Sequence, residues 1–390
     1  MTTPPDAGQP PVAPSPRLPG PASSTFWSVA LSLAAVSLSF TLLRDLASLI
    51  APTFLALNLV IVVYPLFRKL HAAGVPRGAA AFAVALVVLG VLAVFVWGMA
   101  YSITAMVAQL SGYGDRFTAI YHHILDSLTR LGFTEDVLLG RLKSLDPSSM
   151  VSFATSVLSN AQGSLSLLTV LVLSLLFLVM DIPAVHGRLA AASESHPAFV
   201  AGLYDFADGV RRYWVVTTVF GLIVAALDWG VLVVVGVPLP FVWALLSFIT
   251  NYIPNLGFVV GVIPPALIAW FDKGWVSAVV VVVAYIVLNF VVQSLIQPKV
   301  AGEAVGLTAT VTFLSLFLWT YIFGALGALI ALPCSLLVKS LLIDTDPSMR
   351  WLDSLIAART PRSPRPGGPT SRGADRPATD AGVTNADSEQ

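Results

Sequence analysis

The sequence predicts an all-α integral membrane protein with about six full transmembrane helices plus two broken or re-entrant helical hairpins, and a small extracytoplasmic helical segment. Three observations predict it. Of 390 residues, 56% are hydrophobic and 11% are charged, and the mean hydropathy is +0.84. A soluble chain carries about 25% charged residues, so the apolar surface here lacks the polar cover that water requires. Apolar runs of about twenty residues, enough to cross a bilayer as helix, recur along the chain. Two more runs, 239–271 and 307–343, are longer than one crossing needs and are interrupted by Gly and Pro.

Taken in order, residues 1–25 hold eight prolines and few large apolar side chains. This tail and the polar 346–390 tail cannot bury enough surface to offset the entropy of ordering, and both are predicted to be disordered. The first tail has one basic residue, Arg17, and a long apolar run after it, unlike a signal peptide. A first group of crossings, 26–101, comprises Phe26–Leu43, Leu46–Phe67 and Ala79–Ala100. The more polar 102–164 follows, with Ile120, Ile124, Leu128 and Leu131 at helical spacing, and reads as short amphipathic helices outside the bilayer core. A transport core, 165–345, contains Leu165–Met180, Tyr213–Val235 and Trp275 to about Ile296, with the two interrupted runs. Asp181 is expected to end the fourth crossing before Pro183.

Basic residues in short loops set orientation. Arg68, Lys69 and Arg77, then Arg188, Arg211 and Arg212, then the arginines of the carboxy-terminal tail fall on one side if both termini are cytoplasmic. The 102–164 segment is then extracytoplasmic. Zero net charge excludes the basic excess expected of a nucleic-acid binder. The one cysteine, Cys334, sits in an apolar run and reads as a small hydrophobe.

The two long runs repeat each other. At an offset of 69 residues, Tyr252-Ile253 falls on Tyr321-Ile322, Pro264 on Pro333, and Val242, Leu245, Phe248 and Leu267 on Val311, Leu314, Phe317 and Leu336. Each run reads helix, break, helix, with breaks at 251–257 and 323–327. Pro254 has no amide hydrogen and cannot continue the helical ladder. Broken backbone at membrane depth persists only where protein or water satisfies it, and paired interrupted helices point to a transporter binding site. Two re-entrant hairpins are the favoured reading; the alternative treats each run as one long span, giving eight transmembrane helices.

The candidate substrate or ion pathway follows from polar residues inside apolar helices. Asp228 lies within the fifth crossing. A carboxylate at the bilayer centre costs about 2.5 kcal/mol or more on insertion scales, and such a group can exchange a proton for a monovalent cation. The competing reading places it near the outer interface, since the turn begins at Gly236. Asn251 and Asn255 flank Pro254 one turn apart, where amides can repair the broken backbone or bind a solute or dehydrated cation. Tyr285, Asn289, Gln293 and Gln297 recur every four residues, giving either a pathway lining or interhelical hydrogen bonding. Thr308, Thr312 and Ser315 form a weaker stripe. Lys299 and Glu303 lie four apart at a membrane boundary, as a surface ion pair or a gate. Gly257 and Gly261 give the small-residue spacing of a close helix contact.

An enzyme is not expected: the sequence has no P-loop, HExxH or GxSxG, and its five histidines lack metal-ligand spacing. No cofactor is implied. Active transport by this chain must then draw on an ion gradient or a partner. A passive channel and a membrane scaffold are the competing classes.

Gly236-Val-Pro-Leu-Pro240, Asn251-Tyr-Ile-Pro-Asn-Leu-Gly257, Pro264-Pro265, Gln297-Pro-Lys-Val-Ala-Gly302, Gly324-Ala-Leu-Gly327 and Leu332-Pro333, in that order, resemble the autoinducer-2 exporter family of bacterial membrane proteins. The resemblance covers about residues 26–345. It implies a multi-pass permease of the bacterial inner membrane, homo-oligomeric, with the lipid bilayer and a small solute, or a monovalent cation and a proton, as its partners. Export of a quorum-sensing signal and exchange of sodium or lithium for protons are both connected with such proteins. Asp228 is outside the resembling pattern.

Overall fold

The computed structural model describes residues 22–112, 130, 161–253, 256–297, 299, 306–345, 349 and 351. Nearly all of them are helical. The helices are α1 (Ala22–Asp45), α2 (Ala47–Ala72), α3 (Arg77–Ser111), α4 (Ala161–Ser195), α5 (Pro197–Val235), α6 (Pro240–Thr250), α7 (Leu256–Lys273), α8 (Trp275–Asn289) and α9 (Ala309–Val338). A π-helical segment, Phe290–Ile296, continues α8, and a second, Lys339–Ile343, continues α9.

Seven helical stretches among the described residues are long and apolar enough to cross a membrane. Their outward faces are apolar: Trp27, Leu31, Phe82, Leu86, Phe177, Met180 and Val234 are all exposed. Such faces need lipid, and the chain is a multi-pass helical membrane protein.

α5 is the axis of the bundle. It packs against α2, α4, α6, α8 and α9. One core joins Ala56 of α2, Val84 of α3, Leu175 of α4, Val210 of α5 and Ile330 of α9. A second joins Leu232 of α5 to Trp243 and Leu246 of α6, Ile268 of α7, and Val281 and Tyr285 of α8. α5 stops at Gly236, whose φ of 74° suits glycine. Lys273 Nζ donates to Val235 O at 2.7 Å, tying the exit of α7 to the end of α5. Pro240 then opens α6 at a position where its missing N–H costs no helical bond.

Both interrupted runs are helical hairpins. In the first, α6 and α7 lie side by side. A Cβ on Gly257 would stand 1.9 Å from Thr250 O, and one on Gly261 would stand 3.2 Å from Ser247 Cα. Thr250 Oγ1 donates to Gly257 O at 2.9 Å, satisfying a carbonyl beyond the break. In the second, Gly324 (φ 65°, ψ −145°) reverses α9. Trp319 Nε1 donates to Ser335 Oγ at 2.9 Å, and Ser335 Oγ donates to Ser315 Oγ at 2.8 Å, twenty positions earlier. A straight helix would hold residues twenty apart about 30 Å from each other. The eight-span alternative therefore fails on geometry. The repeat survives in three dimensions with one residue added at the second turn, since Thr250 and Trp319, 69 apart, play the same part toward Gly257 and Gly327, 70 apart.

Several expected boundaries move. α1 begins at Ala22, inside the tail drawn as 1–25, and α3 runs to Ser111, past residue 101. α4 does not end before Pro183 but continues through it to Ser195, and Asp181, inside the helix, pairs with Arg188 at 3.6 Å. α5 starts at Pro197, so His196 alone joins the two helices. The expected stripe of Thr308, Thr312 and Ser315 divides: Thr308 caps α9 by accepting from Val311 N, whereas Ser315 faces Ser335. Most of 102–164, the 346–390 tail apart from residues 349 and 351, and 1–21 lie outside the described residues.

Candidate functional site

Hairpin 1, formed by α6 and α7, presents two polar positions one turn apart on α6, Ser247 and Asn251. Asn251 meets Gln293, which recurs with Asn289 and Tyr285 at the same spacing along α8 and its π-helical continuation. A polar seam thus lies where the end of hairpin 1 faces α8.

At its closed end is Asp228, fully buried on α5. Ser247 Oγ donates to Asp228 Oδ2 at 2.7 Å. Oδ1 has no hydrogen-bond partner among the described residues, and neither does the hydroxyl of Tyr285, which is also fully buried. The two groups lie within electrostatic range of each other. Among the described residues Asp228 is the one buried carboxylate. Asp228 is enclosed by protein rather than exposed at the surface of the bundle.

At the other end the amides form a chain. Gln293 Nε2 donates to Asn251 Oδ1 and to Asn289 Oδ1, both at 2.8 Å, and Asn289 Nδ2 donates to Tyr285 O at 2.9 Å. Gln293 sits in the π-helical segment. Such widened turns leave backbone groups without their usual partners and are frequent at functional sites. These amides line a partly open cleft of about 230 Å³, completed by Phe258, Ile286, Phe290 and Ser294. Its walls carry amides and a hydroxyl but no charge, so it suits a neutral polar solute or a cation in transit. The stripe on α8 is thus a hydrogen-bonded contact with hairpin 1 as well as a cleft wall.

The remaining candidates fall around this seam. Gly257 permits the close approach of the hairpin arms. Gln297, one turn beyond Gln293, is half-buried, and Lys299 is exposed. Pro254, Asn255 and Glu303 lie outside the described residues. Among the described residues, no cluster of His, Cys, Asp or Glu could hold a metal ion.

Sequence reasoning missed Ser247 as a site residue. Its spacing from Asn251 was the available signal. It also missed a second buried network beside the seam. Tyr252, at the tip of α6, bonds through its hydroxyl to Thr218 Oγ1 at 2.9 Å, and Tyr213 OH donates to Tyr252 O at 3.3 Å. Trp214 Nε1 donates to Asn58 Oδ1 at 3.3 Å, and Asn58 is fully buried in α2. Phe95, Trp214 and Phe248 surround the Tyr252 ring. Hairpin 2, the folded α9, is held at its tip by Arg44, which donates to Tyr321 OH at 2.9 Å and lies over the ring.

These features define a polytopic helical membrane protein with paired broken hairpins and a polar seam inside the bundle. The chain belongs to the AI-2E family of transporters, whose model matches residues 28–345. It is 27% identical over 304 residues to the AI-2 transport protein TqsA of Escherichia coli K12, covering 78% of this chain and 88% of that protein. It is 26% identical over 341 residues to the putative transport protein YhhT of the same organism, covering 87% and 97%. A putative transport protein of Borreliella burgdorferi is 24% identical over 310 residues, 78% of this chain and 82% of its own length. Membership in this family assigns the chain a membrane transport role.

Proposed function

We propose that this chain is a secondary transporter of the bacterial inner membrane, with both termini cytoplasmic, working as a homo-oligomer. Its pathway runs through hairpin 1, past Asn251, Pro254, Asn255, Gly257, Asn289 and Gln293, with Gln297, Lys299 and Glu303 toward the membrane boundary. Transport is driven by exchange of a proton for a monovalent cation at Asp228. The observations that carry this reading are the amide-lined cleft at a helix break and the buried carboxylate that Ser247 bonds. Two broken hairpins related by a repeat support it, since irregular backbone inside lipid is costly and transporters use it to bind their cargo. The absence of a P-loop from the sequence favours gradient-driven over nucleotide-driven transport. TqsA is named for AI-2 transport, which makes AI-2 the first organic solute to try.

The test is flux in proteoliposomes under an imposed pH gradient, with sodium, lithium or potassium added. Cation-dependent, saturable collapse of the gradient supports the reading. Flux that rises linearly with concentration would instead indicate a passive channel. Correctly inserted protein that moves neither cations nor AI-2 would leave a scaffold role.

A further inference from the structure

The reading of the chain as an ion-coupled transporter leaves open what completes the site around Asp228. We propose that Asp228, Ser247 and Tyr285 together form a buried binding site for a single small monovalent cation, reached from the amide cleft along the seam between α6 and α8.

The argument begins with two orphaned atoms. Asp228 Oδ1 and the Tyr285 hydroxyl are fully buried, lie within electrostatic range, and neither is hydrogen-bonded among the described residues. A buried polar atom without a partner costs about 1–3 kcal/mol, more for a charged one. Two of them within electrostatic range of each other, beside an apolar cluster, are explained by an occupant that satisfies both. Leu232, Trp243, Leu246 and Val281 wall the cluster, so no bulk water competes for the position.

The donor set selects the occupant. Each of the three side chains offers oxygen lone pairs: the carboxylate from Oδ1, Tyr285 from its phenol, and Ser247 from Oγ while its O–H still donates to Oδ2. Oxygen ligands suit hard cations. A single carboxylate neutralises one positive charge. A divalent ion here would leave a net charge buried without a partner, which is strongly destabilising. The other neutral state is the carboxylic acid, with its proton on Oδ1. The site therefore alternates between a proton and one monovalent cation. When the cation enters, the proton leaves Asp228 for bulk water, and charge balances. Tyr285, from α8, is the ionisable group facing Asp228; hairpin 1 brings Ser247 to the same point, and that hydroxyl does not titrate in water's range.

The polar positions mark the route: Ser247 and Asn251 are four positions apart at the end of α6, and Tyr285, Asn289 and Gln293 follow every four positions along α8 and its π-helical continuation, about 6 Å of rise per step in an α-helix. Asn251 Oδ1 and Asn289 Oδ1 offer carbonyl oxygens on the way. Hairpin 1 lies on both the cleft and the ion site through Ser247. Occupancy at Asp228 thus bears directly on the wall of the cleft.

The deciding experiment measures binding rather than transport. Radiolabelled sodium, with lithium as competitor, is titrated onto the purified full-length protein in detergent, and proton release into weak buffer is followed with a pH dye. Wild type is expected to bind sodium saturably and to release about one proton per cation bound, the exchange that a single carboxylate allows. Tyr285→Phe and Ser247→Ala are expected to weaken binding by about tenfold to a hundredfold, the effect of losing one charged contact. Asp228→Asn is expected to remove binding and proton release together. Tyr321→Phe, a phenol deleted elsewhere, should bind as wild type does. Folded wild-type protein without saturable binding would overturn the proposal, as would unchanged affinity in both Tyr285→Phe and Ser247→Ala. If Asp228→Asn does not fold, the Tyr285→Phe titration and wild-type proton release still decide. Binding without flux in proteoliposomes would uphold the site and sink the transport reading; coupled flux without binding here would do the reverse.

Discussion

The hydroxyl of Ser335 stands 2.8 Å from that of Ser315, twenty positions earlier in the chain. No continuous helix can bring those two groups together. The contact makes the second interrupted run a folded hairpin, and with hairpin 1 it gives the bundle two elements that enter and turn back.

Cross-linking checks this directly. In a Cys334→Ala background, the pair Ser315→Cys and Ser335→Cys is expected to form an intramolecular disulfide on mild oxidation, seen as a mass loss in intact-protein spectrometry. A disulfide needs Cα atoms within about 7 Å. Failure to cross-link under conditions that oxidise a control pair would restore a straight span.

The hairpin turns depend on two glycines. A Cβ on Gly257 or on Gly327 would stand 1.9 Å from a backbone carbonyl, of Thr250 and Trp319 respectively. Gly257→Ala and Gly327→Ala are each expected to destabilise by about 2 kcal/mol or more, because backbone must shift to admit the methyl. Thermal unfolding in detergent measures it. Gly230→Ala, where nothing lies within 4 Å, should be neutral or slightly stabilising.

Among the described residues, Ser247 is the one side chain that bonds Asp228. Ser247→Ala leaves the buried carboxyl without that bond and is expected to cost about 1–3 kcal/mol. Coupled flux should fall with it, while Ser247→Thr should recover both in part, since it keeps the hydroxyl. A Ser247→Ala protein with unchanged stability and flux would remove the residue from the site.

Asn58 and Trp214 connect α2 to α5 through one bond at 3.3 Å. Deleting either partner leaves the other's bonding atom, Asn58 Oδ1 or Trp214 Nε1, without that bond, while Asn58 Nδ2 keeps its bond to Phe54 O at 2.6 Å. Asn58→Leu and Trp214→Phe are therefore expected to be non-additive, with a coupling of about 0.5–3 kcal/mol in a double-mutant cycle by thermal or chemical unfolding. Additive effects would mean that the bond contributes nothing.

Gln293 holds Asn251 and Asn289 at once. Gln293→Ala is expected to raise the KM for transported solute several-fold with little change in unfolding temperature. Loss of fold without a change in KM would assign the residue to packing alone.

Much of this was legible in the residues. The composition and the recurring apolar runs gave the membrane class. The 69-residue repeat and the Gly and Pro positions gave both breaks, because a missing amide hydrogen or a positive φ is a local property of the chain. Asp228 was visible as a charge in an apolar helix, but its depth was not, because Gly236 lies only two turns away and distance along the chain does not say which way a side chain faces. Pro183 does not end α4, because a proline breaks a helix only where packing does not carry the chain through it, and here the helix runs on to Ser195.

The sequence by itself determined that the chain lives in lipid, where its helices run and where two of them must break. These follow from transfer free energy and backbone chemistry, which act residue by residue. Only the folded bundle shows that Ser247 reaches Asp228, that Tyr285 lies within electrostatic range of it, and that Asn58 meets Trp214 across 156 positions. Helices that are apolar on all sides carry no amphipathic stripe to say which face turns inward. Their rotation and register are set by close packing of small and large side chains against one another, a property of the assembled bundle that no single segment contains.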